Sequence, residues 1–132
     1  MNARSALLDA EAAVPFAGQR VLLTGASGFL GRQVARQALA AGTVLHVLGR
    51  GPAAPGAQHH QADLADRAAV ARAVAAANPQ TVIHCAAPGV AYGSASLPDM
   101  LAVAVGGTEA LLDACTALAV PPRVVLVGSG FE

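Results

Sequence analysis

Apolar residues fall along the chain in two alternating rhythms. Short runs at Gln19–Thr24, Thr43–Leu48, Thr81–Cys85 and Arg123–Val127 predict strands, of which Val21-Leu22-Leu23, Val82-Ile83 and Val124-Val125-Leu126-Val127 are continuously apolar, as expected for strands covered on both faces. Between them the spacing turns helical. Gly28–Ala41 carries Leu30, Val34, Ala38 and Ala41 on one face and is stopped by Gly42. Asp66 can cap a helix carrying Val70, Val74 and Ala77, which Asn78-Pro79 ends. Pro98–Ala119 predicts a long helix with Leu101, Val105, Leu112 and Cys115 among its apolar positions. Residues 49–56 read as a loop, and Ala57–Gln61 is a candidate for a further short strand.

Strands alternating with helices of this length need crossover connections, and these pair the strands in parallel with helices on both faces of one sheet. The expected fold class is therefore α/β, a doubly wound parallel sheet. Ligands of such sheets sit beyond the carboxyl ends of the strands, so the residues that follow each strand are the ones to inspect.

Composition narrows the function classes. The chain has 132 residues, about the size of one domain, with 55% hydrophobic and 12% charged residues, a balance that favours a folded core over disorder. Residues 1–17 read as an amino-terminal extension and 18–132 as the domain. Eight basic and eight acidic residues leave a net charge of zero, which disfavours nucleic acid and an anionic membrane surface as partners. The longest apolar stretch, around 100–120, is interrupted by Asp99, Glu109 and Asp113, against a membrane span. Cys85 and Cys115 lack the spacing of a secreted disulfide framework, and a cytoplasmic location is expected. No lysine is present, so Schiff-base, P-loop and proton-relay lysines are excluded within these residues.

After the first strand comes Thr24-Gly25-Ala26-Ser27-Gly28-Phe29-Leu30-Gly31, three glycines spaced by three that run into a helix. Gly25 suits a tight turn, Gly28 a close backbone approach to a pyrophosphate, and Gly31 close packing of helix on sheet. The amides from about Ser27 to Leu30, with the positive end of the helix dipole, would face a bound phosphate, and the Ser27 hydroxyl adds a donor. A strand before and an amphipathic helix after are the context a dinucleotide fingerprint requires. The second strand ends at Gly49-Arg50, where an acidic residue would hold the ribose 2′-hydroxyl of NAD. A small residue and an arginine leave room and charge for a 2′-phosphate, which favours NADP while leaving NAD open. Asp63 could accept a hydrogen bond from an adenine amine while Leu64 covers the ring, or could simply form a turn.

The series TGASGFLG (24–31), ADL (62–64), VIHCAA (82–87), VGGTEALLDAC (105–115) and VVLVGSGFE (124–132) resembles the extended short-chain dehydrogenase/reductase family, the NAD(P)-dependent epimerases and dehydratases. The resemblance covers roughly residues 19–132. It implies a Rossmann domain, truncated after its fifth main strand, as the amino-terminal part of a longer enzyme. Cofactor contacts would fall on Gly25, Ser27, Gly28, Phe29, Leu30 and Gly31 at the pyrophosphate, and on Asp63 and Leu64 at the adenine. Cys85, Ala86 and Ala87 would lie alongside the cofactor.

In that family catalysis needs a Ser or Thr at the end of the fifth strand and a Tyr-x-x-x-Lys on the next helix. Ser129 matches the first. The second is missing from these residues, because Ser96 stands four positions after the only tyrosine, Tyr92. The family's usual Asn-Val-x-Gly-Thr also departs here, with Ala104 in place of Asn ahead of Val105, Gly106, Gly107 and Thr108. Two glycines in a helix cost roughly 1 kcal/mol each relative to alanine, which points to close approach to a neighbour or the cofactor, or to a kink. His59-His60 reads as surface loop in preference to a metal site, His84 as a packed, hydrogen-bonded residue, and both cysteines as core. No metal site is expected.

The implied function is the NAD(P)-binding portion of an epimerase, dehydratase or reductase, with hydride transfer to or from a small-molecule alcohol or ketone of nucleotide-sugar type. The full-length parent would be a homodimer. A catalytically silent NADP-binding or interaction module is the alternative.

Overall fold

The computed structural model describes residues 16–52, 54–86 and 96–128. Five strands form one parallel sheet: β1 Arg20–Thr24, β2 Val44–Gly49, β3 Gln58–Gln61, β4 Thr81–His84 and β5 Arg123–Leu126. Their spatial order is β3-β2-β1-β4-β5, so the chain reverses its direction of growth between β1 and β4. The expected doubly wound α/β class is what forms, with β1 at the centre.

The helices are α1 Phe29–Ala40, α2 Arg67–Ala77, α3 Leu97–Leu101, a π-helical turn Ala102–Gly107, and α4 Thr108–Thr116. Alternation along the strands splits the core in two. Val21, Leu23, Leu45 and Val47 pack with Ala35, Val34, Ala38 and Leu39 of α1 on one face. Leu22, Leu48 and Val82 pack with Val70 and Val74 of α2 and Leu111 and Cys115 of α4 on the other. Each fully buried leucine here contributes about 1.5–3 kcal/mol relative to an exposed one.

Helix ends follow the local chemistry. Asp66 caps α2 by accepting from the Ala69 amide at 3.0 Å, and Asn78 closes it in the left-handed conformation at φ 41°. Arg67 pairs with Asp113 at 2.5 Å and Glu109 at 3.4 Å, joining α2 to α4 in exposed bridges of small energetic weight.

Four expectations are corrected. The segment 98–119 is not one regular α-helix but contains the π-helical turn, whose wider winding changes the phase of the buried stripe. Gly107, Ala110, Leu111 and Cys115 face the core, whereas Leu101 and Val105 are 50% and 59% exposed. Leu30 is also largely exposed, because the first turn of α1 rises beyond the strand ends. His59 and His60 lie in β3, within the candidate strand 57–61 and not in a surface loop, since parallel pairing with β2 extends the backbone there. The β5 strand is not covered on both sides, and Val125, Leu126 and Val127 remain exposed among the described residues.

Gly106 and Gly107 are adjacent but not equivalent. A Cβ on Gly107 would stand 2.9 Å from Leu64 Cβ, whereas one on Gly106 would meet nothing within 4 Å. The close approach therefore belongs to Gly107 alone. In urea unfolding, Gly107→Ala is expected to destabilise by about 1–3 kcal/mol through overpacking, and Gly106→Ala to be neutral or stabilising by up to about 1 kcal/mol. Equal effects of the two substitutions would contradict this packing.

His46 on β2 and His60 on β3 share a hydrogen bond at 2.8 Å with their rings stacked 5.1 Å apart. Burial is the main cause that lowers the pKa of each, with His60 and Arg20 adding repulsion at His46, and His59 at His60. Burial lowers His84 likewise. An imidazole depressed in the folded state binds protons more readily when unfolded, from about pH 6.5 downward. Stability is thus full above that pH and is lost as pH falls toward the depressed folded values. Thermal midpoints should drop between about pH 7.5 and 5, and His60→Gln should flatten that drop. A flat wild-type profile would refute the assignment.

Candidate functional site

The carboxyl ends of β1, β2 and β4 open into one groove of about 1030 Å³. It lies where the strand order reverses, the place at which open α/β sheets take ligands. Gly25, Ser27, Gly28, Phe29, Leu30 and Gly31 line it after β1, Arg50 after β2, Asp63 and Leu64 after β3, and Cys85 and Ala86 after β4. Four separate loops of the sequence meet there because parallel pairing stacks all the strand ends on one side. Ala87 and Ser129 lie outside the described residues.

The turn after β1 is held by backbone contact. Gly25 has φ +73°, and a Cβ on it would stand 2.6 Å from the Ala86 amide nitrogen and 2.7 Å from the Cys85 carbonyl carbon. No other residue fits both the angle and the space. A Cβ on Gly31 would overlap the Gly25 carbonyl, so α1 starts pressed against the turn itself. The nearest atoms to that Cβ belong to the turn leaving β1, on whose strand α1 also packs. Gly28 has no such constraint, since a Cβ there would meet only the Gly25 oxygen at 3.4 Å.

No side chain caps α1 at Gly28, so the first-turn amides of Phe29, Leu30 and Gly31 are available to an anion in the groove. The Gly28 amide is not among them, because it donates to the Gly25 carbonyl at 3.1 Å. Within the run from Ser27 to Leu30, the Gly28 amide is thus already used.

At the adenine end suggested by the sequence, exposed Asp63 uses Oδ1 to accept from the Ala65 amide at 2.9 Å, the turn-forming use. Leu64 does not lie open over the groove; it is 9% exposed and packs into the core against Gly107. Arg50 is exposed at the groove edge and forms no salt bridge among the described residues; it stands between Gly49 and Gly51, where an added Cβ would meet nothing. Burial pushes the Cys85 thiol up, which keeps it protonated and away from thiolate chemistry.

Sequence reasoning missed the wall formed by α3 and the π-helical turn. Asp99, Ala102 and Val103 also line the groove, as does His59, whose Nε2–H donates to the Gly49 carbonyl at 3.2 Å. The Ser96-x-x-Asp99 spacing was the available signal for where this wall starts: Ser96 Oγ accepts from the Asp99 amide at 3.3 Å and its hydroxyl donates to Asp99 Oδ2 at 2.7 Å.

The family model for the NAD dependent epimerase/dehydratase family matches residues 21–131. The chain belongs to this family. It is 38% identical over 106 residues to a dTDP-4-dehydrorhamnose reductase of Streptomyces griseus, covering 79% of this chain and 32% of that protein. The chain therefore spans about a third of the length of this curated relative. Among solved structures, a short-chain dehydrogenase/reductase superfamily protein from Agrobacterium tumefaciens with bound NAD is 31% identical with a TM-score of 0.73, over 83% of this chain and 32% of that one. The UDP-glucose 4-epimerase of Thermus thermophilus, in complex with NAD, is 33% identical with a TM-score of 0.65, over 73% of this chain and 33% of that one.

The Gly31 contact is the sharpest test of the site's geometry. Gly31→Ala should cost about 1–3 kcal/mol in chemical unfolding, because its methyl must displace backbone rather than a side chain. A substitution without measurable cost would mean that the turn and α1 are not in contact as described.

Proposed function

We propose that this chain is the NAD(P)-binding portion of an oxidoreductase that transfers a hydride between the nicotinamide and an alcohol or ketone of a nucleotide sugar. The observation that carries this reading is the Gly25–Gly31 turn, pressed against Ala86 beneath a groove that fits an extended ligand and faces an uncapped helix start. The nicotinamide nucleotide, when bound, supplies the hydride donor or acceptor. The chain's own residues bind and orient. Amides of Phe29, Leu30 and Gly31 would meet the pyrophosphate, with Gly25, Gly28 and the Ser27 hydroxyl around it. Asp63 Oδ2 would accept from the adenine amine beside Leu64, and Cys85, Ala86 and Ala87 would flank the nicotinamide side.

The two solved relatives named above hold NAD, whereas Arg50 favours NADP in this chain. Its guanidinium would meet a 2′-phosphate, flanked by glycines that leave space. Ser129 would hydrogen-bond the reacting substrate oxygen. The acid/base pair is proposed for sequence outside these 132 residues, which contain no lysine, so the chain alone is expected to be inactive.

Homodimerisation of the full-length parent is part of this reading, supported by Leu97, Leu101 and Val105 at 67%, 50% and 59% exposure on one side of α3 and the π-helical turn. A cytoplasmic location is proposed from two free thiols. No helix of the described residues is long and apolar enough to cross a membrane.

Titration of the purified chain with NADPH and with NADH, followed by nicotinamide fluorescence, tests the reading. NADPH should bind at least about tenfold tighter, or about 1.4 kcal/mol, and Arg50→Ala should remove the difference. Equal affinities would overturn the NADP preference, and absence of binding to a folded chain would overturn the whole proposal.

A further inference from the structure

Thr24, His84 and Thr108 stand on β1, on β4 and at the start of α4, and the cofactor reading above assigns none of them a part. Thr24 is fully buried and His84 nearly so, which puts both out of reach of a ligand in the groove. One assignment of hydrogens satisfies all four contacts among them. Thr108 donates its hydroxyl hydrogen to the Ala104 carbonyl at 2.7 Å. In that assignment its contact with His84 Nε2 at 2.9 Å is an Nε2–H donating to Thr108 Oγ1. A neutral imidazole carries one such hydrogen, so Nδ1 is an acceptor, and the Thr24 hydroxyl donates to it at 2.6 Å. Thr24 Oγ1 in turn accepts from the Ala86 amide at 3.1 Å.

We propose that His84, held as the neutral Nε2–H tautomer, is a positioning residue that ties the Ala86 wall of the groove to the π-helical wall opposite. The proposal rests on the NAD(P)-binding reading for its consequence, though not for its geometry. Ala86 is the residue against which Gly25 is pressed, so its amide sets where the phosphate-facing turn can lie. Ala102 and Val103 of the π-helical turn line the groove, and Ala104, next in that turn, supplies the carbonyl that closes the chain of bonds. One imidazole thus connects both walls through a relay of polar groups, each with its donor and acceptor used in one direction. At the end of the π-helical turn the Thr108 hydroxyl lies within reach of His84.

Nitrogen-15 NMR of the full chain tests the tautomer without any cofactor. The His84 ring should show a protonated Nε2 and an unprotonated, hydrogen-bonded Nδ1 at neutral pH, and an Nδ1–H tautomer would overturn the proposal. Thr24→Val keeps the shape and removes the hydroxyl, whereas Thr24→Ser restores it. The Val variant should speed hydrogen exchange at the Ala86 amide and weaken NADPH binding by about tenfold, the lower end of what an orphaned buried donor costs, and the Ser variant should recover both. Unchanged exchange and affinity in the Val variant would overturn the positioning role. Should Thr24→Val fail to fold, Thr108→Val against Thr108→Ser gives the same comparison from the other wall, read by the His84 tautomer and by affinity. If the wild type binds no dinucleotide, the functional reading fails, while the tautomer and the Ala86 exchange rate still decide whether His84 joins the two walls.

Discussion

The backbone contact between Gly25 and the Cys85–Ala86 segment is the constraint on which the rest of the site depends. Two strands that are neighbours in the sheet but far apart in sequence end at the same level, and the turn leaving one lies against the chain leaving the other. That approach is closer than any Cβ permits, which demands glycine. With the turn so held, α1 begins against the Gly25 carbonyl, its first amides point outward uncapped, and the groove forms above them. A shift of that contact would displace the uncapped first-turn amides, the floor of the groove and the start of the first helix together.

The groove's other wall depends on a second close approach. Gly107 lets the π-helical turn settle against Leu64, which lies after β3, so that a loop and a helix distant in sequence share a boundary. Burial of Leu64 in that contact makes it a structural partner of the wall as well as a lining residue. The polar chain through Thr24, His84 and Thr108 then joins the two walls inside the core, where every hydrogen has a defined acceptor and an unpaired group would be costly. Apolar packing sets the distance between the walls, and directed hydrogen bonds set their orientation.

Charge plays a local part in this protein. Its net charge is zero, and the salt bridges of the described residues lie on the surface between α2 and α4, away from the groove. Arg50 is a cation at the groove's edge with no carboxylate partner among the described residues, and its flanking glycines leave it unobstructed. The histidine pair on β2 and β3 sits on the face packed by α2, where burial keeps it neutral, and the polar β3 edge is short and blunted against further pairing.

The parallel sheet, the order of helices and strands, and the glycine turn were legible from the chain because each rests on local chemistry. Continuous apolar runs need two covered faces, helical spacing makes one apolar stripe, Asp66 and Asn78-Pro79 punctuate a helix, and glycines between a strand and a helix mark a tight turn. The family followed from five motifs in order. Tertiary structure alone decided which residues touch. The π-helical turn, the exposure of Leu101 and Val105, the burial of Leu64 and the groove wall at Ala102 and Val103 all depend on distances between segments far apart in sequence. Periodicity reports the face a residue would show on a regular element, but how closely two elements approach, and which one yields by rewinding, is settled only when all of them compete for the same space.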